Sequence, residues 1–142
     1  MDRGRLCRSH CPLLKLKTDH MATVLIVEDE ESIRRFAAVN LTARGYAVIE
    51  ADNARDGLDM LRDRLPELVL LDMRMPGMDG FDLLEAKAQD PDIADIPVIV
   101  LTASMGAADA VEEEYTGVVA VLHKPISASE LIEAVATTLA TD

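Results

Sequence analysis

Five short apolar segments alternate with helical patterns from Thr23 onward, and this alternation restricts the possible folds more than any other feature. The segments are Thr23–Val27, Ala47–Glu50, Leu68–Leu71, Val98–Leu101 and Val118–Leu122. All but the second are nearly continuous aliphatic runs without polar alternation, which is typical of strands buried on both faces of a parallel sheet. The second segment is shorter and ends in Glu50, which indicates an edge strand.

Amphipathic stripes between these segments predict helices. The apolar positions are Ile33, Phe36, Ala37 and Leu41 in the first helix, Ala54, Leu58, Leu61 and Leu65 in the second, Phe81, Leu84 and Ala88 in the third, and Leu131, Ile132, Val135 and Leu139 in the fifth. An alanine-rich, weaker pattern around 107–115 predicts the fourth helix. Ser127 and Glu130 have the spacing of a capping box at the start of the fifth. Repeated strand-helix units with short connections predict an α/β domain, a doubly wound five-stranded parallel sheet with five helices.

Charge is distributed unevenly and excludes some functions. Residues 1–20 contain five basic and two acidic side chains, whereas residues 21–142 contain nine basic and 24 acidic ones, a net charge of −15. Such a surface repels phosphate backbones, and two Phe, two Tyr and no Trp offer little stacking area, so we expect no direct nucleic-acid binding. No apolar run approaches the ~18 to 20 residues that a membrane span needs.

The first 21 residues differ in composition from the remainder of the chain. Both cysteines, Cys7 and Cys11, lie there, and a body without a disulfide framework fits a reducing cytoplasm. A zinc site with His10 and His20 is conceivable, but the usual paired ligand spacing is missing. We therefore predict that residues 1–21 are an N-terminal tail, either disordered or a misassigned start, and that 22–142 form one domain.

Acidic residues follow two of the predicted strands. Glu28 and Asp29 come directly after the first strand, and Asp72 comes directly after the third. In an open parallel sheet, ligands bind beyond the carboxyl ends of the strands, so these carboxylates converge if the two strands are neighbours. Converging carboxylates raise one another's pKa unless a cation lies between them, and hard oxygen ligands with room for water favour Mg²⁺.

Two other strand ends supply a hydroxyl, Thr102, and an ammonium group, Lys124. Each residue alone has an ordinary structural explanation: a turn, a helix cap, an acidic first helical turn or a packed side chain. Together, the metal ligands, a carboxylate nucleophile, the hydroxyl and the lysine predict a phosphoryl-transfer site. In such a site Asp72 attacks phosphorus while the cation, Thr102 and Lys124 stabilise the phosphoryl oxygens.

Four motifs make the chain similar to a known family. They are VLIVEDE (24–30), VLLDMRMPGMDG (69–80), VIVLTA (98–103) and HKP (123–125). The chain resembles the receiver domain of bacterial two-component response regulators over residues 22–140. This resemblance implies the flavodoxin-like strand order 2-1-3-4-5.

The resemblance also implies a role for each site residue. Asp72 matches the aspartate that accepts a phosphoryl group from a phosphohistidine. Glu28 and Asp29 match the acidic pair that binds Mg²⁺, and the backbone carbonyl of Arg74 matches the remaining protein ligand. Thr102 matches the switch hydroxyl. Lys124 matches the phosphate-binding lysine, which commonly precedes a cis peptide bond to proline.

Some positions depart from the family pattern. Glu28 stands where aspartate is more usual, Val121 where an aromatic switch residue is usual, and Ile126 where phenylalanine is common. After Lys87 the only Lys or Arg is Lys124, so the basic pairs that hold many DNA-binding regulators as dimers are absent. These departures concern how a signal leaves the site rather than the chemistry at Asp72.

Two classes of function remain to be compared. The first is a stand-alone receiver that a sensor histidine kinase or histidine phosphotransferase phosphorylates on Asp72, with an unknown downstream protein partner. Because the sequence ends shortly after the fifth helix, we expect no output domain. A phosphorelay intermediate or phosphate sink is the alternative within this class. The second class is an enzyme: a phosphatase would need an acid where Arg74 stands, and a flavin-binding protein would need a glycine-rich loop at 28–31. We expect no enzymatic activity beyond self-catalysed phosphorylation and dephosphorylation.

Overall fold

The strands form one parallel sheet. The computed structural model describes residues 21–74, 77, 79–103 and 117–140. The strands are β1 (Thr23–Val27), β2 (Ala47–Ala51), β3 (Leu68–Asp72), β4 (Val98–Thr102) and β5 (Val118–His123). Their order in the sheet is β2-β1-β3-β4-β5, and all four neighbouring pairs are parallel. The predicted flavodoxin-like strand order is therefore confirmed.

The described helices cover both faces of the sheet. They are α1 (Glu31–Ala43), α2 (Ala54–Arg64), α3 (Gly80–Ala88) and α4 (Ala128–Ala140). Helices α1 and α4 contact each other on one face, and α2 and α3 contact each other on the opposite face. The helix predicted around 107–115, like the tail 1–20, lies outside the described residues. Within the described part of the chain, no helix is long and apolar enough to cross a membrane.

Strand β1 shows why the sequence lacks polar alternation. Leu25 and Val27 face the core beneath α2 and α3, whereas Val24 and Ile26 face the core beneath α1 and α4. All four side chains are fully buried. Because successive side chains of a strand point to opposite faces, the interior positions of a central strand between two helical layers must all be apolar.

The two edge strands are more exposed than the central three. Strand β2 is an edge strand, as Glu50 indicates. The expectation that β5 is buried on both faces is wrong, since Val119 is 51% exposed. Strand β5 forms the other edge of the sheet, so it has a hydrogen-bonded neighbour on one side only.

Side-chain caps define three helix starts. The Asn53 side chain accepts a hydrogen bond from the Asp56 N–H at the start of α2, and Asp79 and Asp82 form a reciprocal capping box at α3. The box predicted for α4 is confirmed, because Ser127 Oγ accepts from the Glu130 N–H at 3.1 Å and Glu130 Oε1 accepts from the Ser127 N–H at 3.3 Å. Such caps satisfy backbone donors that have no partner within the helix.

The helix stripes predicted from the sequence are wrong at three positions. Phe36 is 38% exposed at the margin of the buried face of α1, and Leu65 is exposed because it lies beyond α2 in a left-handed conformation with φ of 47°. Ala88 is exposed, and Lys87 is buried in its place, because α3 turns Gly80, Leu83, Leu84 and Lys87 inward. Lys87 Nζ donates a hydrogen bond to the Ala94 carbonyl at 2.8 Å.

We predict that Gly80→Ala distorts the chain directly after β3. A methyl group at Gly80 would lie 2.7 Å from both the Cα and the Sδ of Met73, and the Cα belongs to backbone that cannot rotate away. The expected cost is about 1 to 3 kcal/mol in urea unfolding, with shifted amide resonances at Asp72 and Met73. Gly45→Ala is the control, because it meets no atom within 4 Å and is strained only by its φ of 93°. It should lose stability without moving those resonances. Unshifted resonances in the Gly80 variant would contradict the prediction.

Candidate functional site

The first feature of the site is the meeting of two strand ends. Strands β1 and β3 are parallel neighbours, and Val27 pairs with Leu71 at their carboxyl ends. Glu28 and Asp29 follow directly on one side, and Asp72 is the last residue of β3. The expected convergence of the three residues is confirmed, since one carboxylate oxygen from each lies within 4.8 Å of the others.

These carboxylates differ in burial. Glu28 is fully buried and Asp72 is 3% exposed, whereas Asp29 is exposed to solvent. Two buried carboxylates this close repel each other strongly, because little water separates them. The site is therefore electrostatically incomplete without positive charge.

Lys124 supplies positive charge from the end of β5. Its Nζ lies 3.1 Å from Glu28 Oε1 and 3.4 Å from Asp72 Oδ1. The Lys124 N–H donates to the Thr102 carbonyl at 2.9 Å, which holds this loop against the end of β4. The Lys124–Pro125 peptide bond is cis, as the resemblance implied.

Backbone donors hold the two buried carboxylates in place. The Glu30 N–H donates to Glu28 Oε2 at 3.2 Å, and the Arg74 N–H donates to Asp72 Oδ1 at 3.1 Å. Arg74 is thus at the site through its amide. The proposed metal-binding role of its carbonyl stays a prediction.

Thr102 lies at the same rim of the sheet. It is the last residue of β4, is 1% exposed, and follows Leu101, which pairs with Asp72. The structure therefore places all six predicted site groups at one end of the sheet. Asp29, Asp72, Arg74 and Lys124 also line an open cleft of about 390 Å³, together with Glu30 and Ala103.

Burial and neighbouring charge shift the pKa values of Glu28 and Lys124. Burial raises the pKa of Glu28 to about 7, the Asp72 carboxylate raises it as well, and the Glu30 N–H and Lys124 only partly oppose this. For Lys124, burial alone would lower the pKa, but the carboxylates of Glu28 and Asp72 outweigh burial and raise it. The ammonium thus stays charged, while the Glu28 carboxyl titrates near neutral pH.

The donor set fits a divalent cation. Glu28 Oε1 is buried and, among the described residues, accepts no well-oriented hydrogen bond, although Lys124 Nζ lies within ion-pair distance. A buried oxygen without a hydrogen-bond partner is costly, and a cation would satisfy it. Carboxylates on one side and an open cleft for water on the other suit Mg²⁺, which binds through one or two carboxylates and retains several waters. Glu28, Asp29 and Asp72 would hold it.

Two features near the site are not evident from the sequence. Arg34 on α1 donates from Nη1 to the Glu28 carbonyl at 2.9 Å. A second, smaller groove of about 190 Å³ lies beside Lys124 and is lined also by Ser32, Ile33, Phe36, Pro125 and Ile126. Helix α1 and the loop after β5 form this groove together. Phe36 is partly exposed because its side chain lines the open groove. Neither feature has a local sequence signal, because the Arg34 contact is to a backbone carbonyl and the groove joins segments that are far apart in the chain.

Comparison with known proteins agrees with this geometry. Residues 24–136 match the family model of the response regulator receiver domain. The chain is 37% identical over 110 residues to the phosphate regulon transcriptional regulatory protein PhoB of Pseudomonas aeruginosa, covering 78% of this chain and 48% of that protein. It is 32% identical over 120 residues to the protein PilH of the same organism, covering 84% of this chain and 99% of PilH.

A solved structure supports the same relationship. The chemotaxis response regulator CheY4 of Vibrio cholerae superposes with a TM-score of 0.77 at 27% identity, covering 84% of this chain and 99% of that one. The chain belongs to the response regulator receiver domain family of two-component signalling. It spans about half the length of several curated relatives, among them PhoB at 48%. Phosphorylation and magnesium binding are general features of the family, whose members interact with histidine kinases and downstream targets.

The pKa of Glu28 predicts how stability depends on pH in the metal-free protein. The ordinary pKa of a glutamate is 4.5, and that of Glu28 in the folded protein is about 7. Between pH 4.5 and about pH 7, the folded state therefore binds a proton that the unfolded state does not. The free energy of unfolding should therefore rise as pH falls from about 8 to about 5, by roughly 1 to 3 kcal/mol from this group. Urea unfolding in EDTA measures it.

Glu28→Gln is the test variant and Glu85→Gln, an exposed position on α3, is its control. The first should lose this component of the pH dependence, and the second should retain it. Equal pH dependence in the wild type and the Glu28 variant would contradict the pKa assignment.

Proposed function

We propose that this receiver domain is a phosphorylation switch that accepts a phosphoryl group on Asp72. The donor is the phosphohistidine of a sensor kinase or histidine phosphotransferase, Mg²⁺ is required, and phosphorylation changes the affinity of the domain for a protein partner. The single observation that carries this proposal is the contact of Lys124 Nζ with both Glu28 and Asp72, at 3.1 and 3.4 Å.

The geometry supports nucleophilic attack by Asp72. The Arg74 amide and Lys124 both approach Oδ1, which fixes the carboxylate at the floor of the open cleft. We assign the attack to Oδ2. An Oδ2–P bond forms as the P–N bond to the histidine breaks, and the imidazole nitrogen keeps the electron pair and takes up a proton.

The remaining residues stabilise charge on the transferred group. Lys124 offers an ammonium and Thr102 a hydroxyl to the phosphoryl oxygens. Thr102 ends β4, the neighbour of β3, and Lys124 directly follows β5, the strand beyond β4. Bound Mg²⁺ would offset the negative charge that the phosphoryl group adds to three carboxylates. This arrangement provides positioning and electrostatic stabilisation, which account for most catalysis of phosphoryl transfer.

No substrate turnover is part of this function. The domain acts on its own aspartate, through phosphorylation and later hydrolysis of the acyl phosphate, and it is not an enzyme toward other molecules. We place it in the cytoplasm, where histidine kinases present their phosphohistidine. The acidic surface argues against nucleic acid as a direct partner.

The phosphodonor protein is proposed to dock beside the cleft. The groove between α1 and the loop after β5 adjoins Lys124, and Phe36 lines it while being 38% exposed. An exposed aromatic side chain beside an apolar groove is typical of a protein interaction site. A docked donor would thereby present its phosphohistidine at the open rim above Asp72.

A second candidate, a phosphorelay intermediate or phosphate sink, is favoured by Val121. This side chain pairs in register with Val100 and packs against the core on the α2 and α3 face. A β-branched side chain of this size has few rotamers and short reach, so it cannot exchange between two positions as a mobile aromatic could. In a carrier, the phosphoryl group would pass from Asp72 to the histidine of a phosphotransferase. In a switch it would remain on Asp72 until hydrolysis.

We expect acetyl phosphate with Mg²⁺ to add one phosphoryl group to the protein, detected by intact mass. Hydroxylamine should remove it, because it cleaves acyl phosphates, and EDTA should prevent its formation. Asp72→Asn should abolish the modification, whereas Asp63→Asn on the exposed face of α2 should not. Undiminished labelling of the Asp72 variant would refute the assignment.

We expect Phe36→Ala to slow phosphorylation by a purified phosphohistidine protein about tenfold, the scale of a central interface residue. Phosphorylation by acetyl phosphate should be unchanged, because the small donor needs no docking surface. Val39→Ala is the matched control, since Val39 is 61% exposed on the same helix but does not line this groove. Equal slowing with both donors would show that Phe36 acts on the chemistry and not on docking.

A further inference from the structure

Arg34 makes two contacts, one with the backbone of the candidate metal site and one with a carboxylate on β2. From α1, its Nη1 donates to the Glu28 carbonyl at 2.9 Å, and its Nε lies 3.1 Å from Glu50 Oε1 at the end of β2. The Arg34 side chain is 19% exposed and that of Glu50 is 44% exposed. The guanidinium thus connects the first helix, the edge strand and the chain that carries the acidic pair.

The Glu28 backbone is held at both of its polar groups. Its N–H donates to the Ala51 carbonyl at 3.0 Å, and its carbonyl accepts from Arg34. The carbonyl of Glu28 and the N–H of Asp29 belong to one planar peptide unit, so fixing the carbonyl also fixes the orientation in which the chain enters Asp29.

Asp29 depends on this backbone for its position. It is exposed, and among the described residues its side chain has no hydrogen bond or ion pair of its own. Its carboxylate nevertheless lies within 4.8 Å of those of Glu28 and Asp72. Contacts of their own side chains hold the two buried carboxylates, whereas among the described residues the third is restrained through its preceding peptide alone.

We propose that Arg34 is a positioning residue for the metal site, with Glu50 orienting its guanidinium. Arg34 fixes the Glu28–Asp29 peptide so that the Asp29 carboxylate stays directed at the cluster. This inference rests on the proposed function, because it takes Glu28, Asp29 and Asp72 as the Mg²⁺ ligands. Arginine suits the role because its planar fork donates in two fixed directions, which a lysine ammonium does not reproduce.

Positioning and electrostatics predict opposite effects when Arg34 loses its charge. A cation beside an acidic cluster repels Mg²⁺, so its removal alone would tighten metal binding. Loss of the hydrogen bond to the Glu28 carbonyl would instead free the Asp29 peptide and weaken binding. The sign of the change in Mg²⁺ affinity therefore separates the two effects.

The experiment measures the Mg²⁺ dissociation constant by calorimetry in the full chain. Arg34→Gln should weaken Mg²⁺ binding by about 10- to 100-fold, the usual effect of removing a residue that orients metal ligands. Arg34→Lys should bind Mg²⁺ more tightly than Arg34→Gln but less tightly than the wild type. Arg35→Gln is the matched control, because Arg35 forms a separate exposed pair with Glu31 at 3.1 Å, and its affinity should match the wild type.

A metal-free readout accompanies these titrations. In EDTA, the amides of Asp29 and Glu30 should exchange faster with solvent in Arg34→Gln than in the wild type. If Arg34→Gln does not fold, Arg34→Lys decides the question, because it keeps the positive charge and removes only the fixed donor geometry of the guanidinium. It should weaken Mg²⁺ binding by a smaller factor.

The outcomes separate this inference from the proposed function. Asp29→Asn tests the metal site itself, and equal Mg²⁺ affinity in that variant and the wild type would overturn the proposed site. If Asp29→Asn loses affinity while Arg34→Gln binds Mg²⁺ as tightly as the wild type or tighter, only the positioning role is overturned. The positioning role is supported if Asp29→Asn and Arg34→Gln both bind Mg²⁺ more weakly than the wild type while Arg35→Gln binds it equally well.

Discussion

The repulsion between two buried carboxylates, Glu28 and Asp72, is the constraint on which the site depends. Both are almost completely removed from water, and a hydrophobic sheet lies beneath them. Lys124 is the one basic side chain among the described residues within ion-pair distance of either. One ammonium against two carboxylates, with Asp29 adjacent, leaves the rim short of positive charge. That deficit, rather than any single residue, is what a divalent cation bound at the rim would offset.

The fold is what makes this crowding possible. Three separate strand ends must reach one rim, which requires parallel strands and therefore helical crossovers on both faces of the sheet. The core beneath α1 and α4 and the core beneath α2 and α3 together bury every side chain of the central strands except that of Thr23, which is half-buried. Burial of that apolar surface stabilises the domain enough to tolerate an unfavourable cluster of charge at its edge.

Most of this arrangement could be predicted from the sequence, because it depends on local pattern and topology. Continuous aliphatic runs identify the central strands, and residues directly after such runs must lie at one rim. What could not be predicted depends on side-chain reach. The charge of Lys87 suggests a solvent position, yet its long stem lets Nζ bond the Ala94 carbonyl from inside the core. Phe36 follows the apolar period of α1 but lies at its margin. Arg34 contacts a carbonyl, and carbonyls carry no sequence signal.

The length of the Glu28 side chain links the metal-free state to the proposed chemistry. Its carboxylate accepts from the Glu30 N–H through Oε2 and approaches Lys124 through Oε1, so one residue spans the distance between the β1 end and the β5 loop. An aspartate there would be one methylene shorter. In the metal-free protein Lys124 is therefore shared between Glu28 and Asp72. In the proposed function, a cation held by Oε1 would weaken the attraction between Glu28 and the ammonium, which would leave Lys124 available to a phosphoryl oxygen on Asp72. Cation binding and phosphoryl transfer would then be coupled through this single carboxylate.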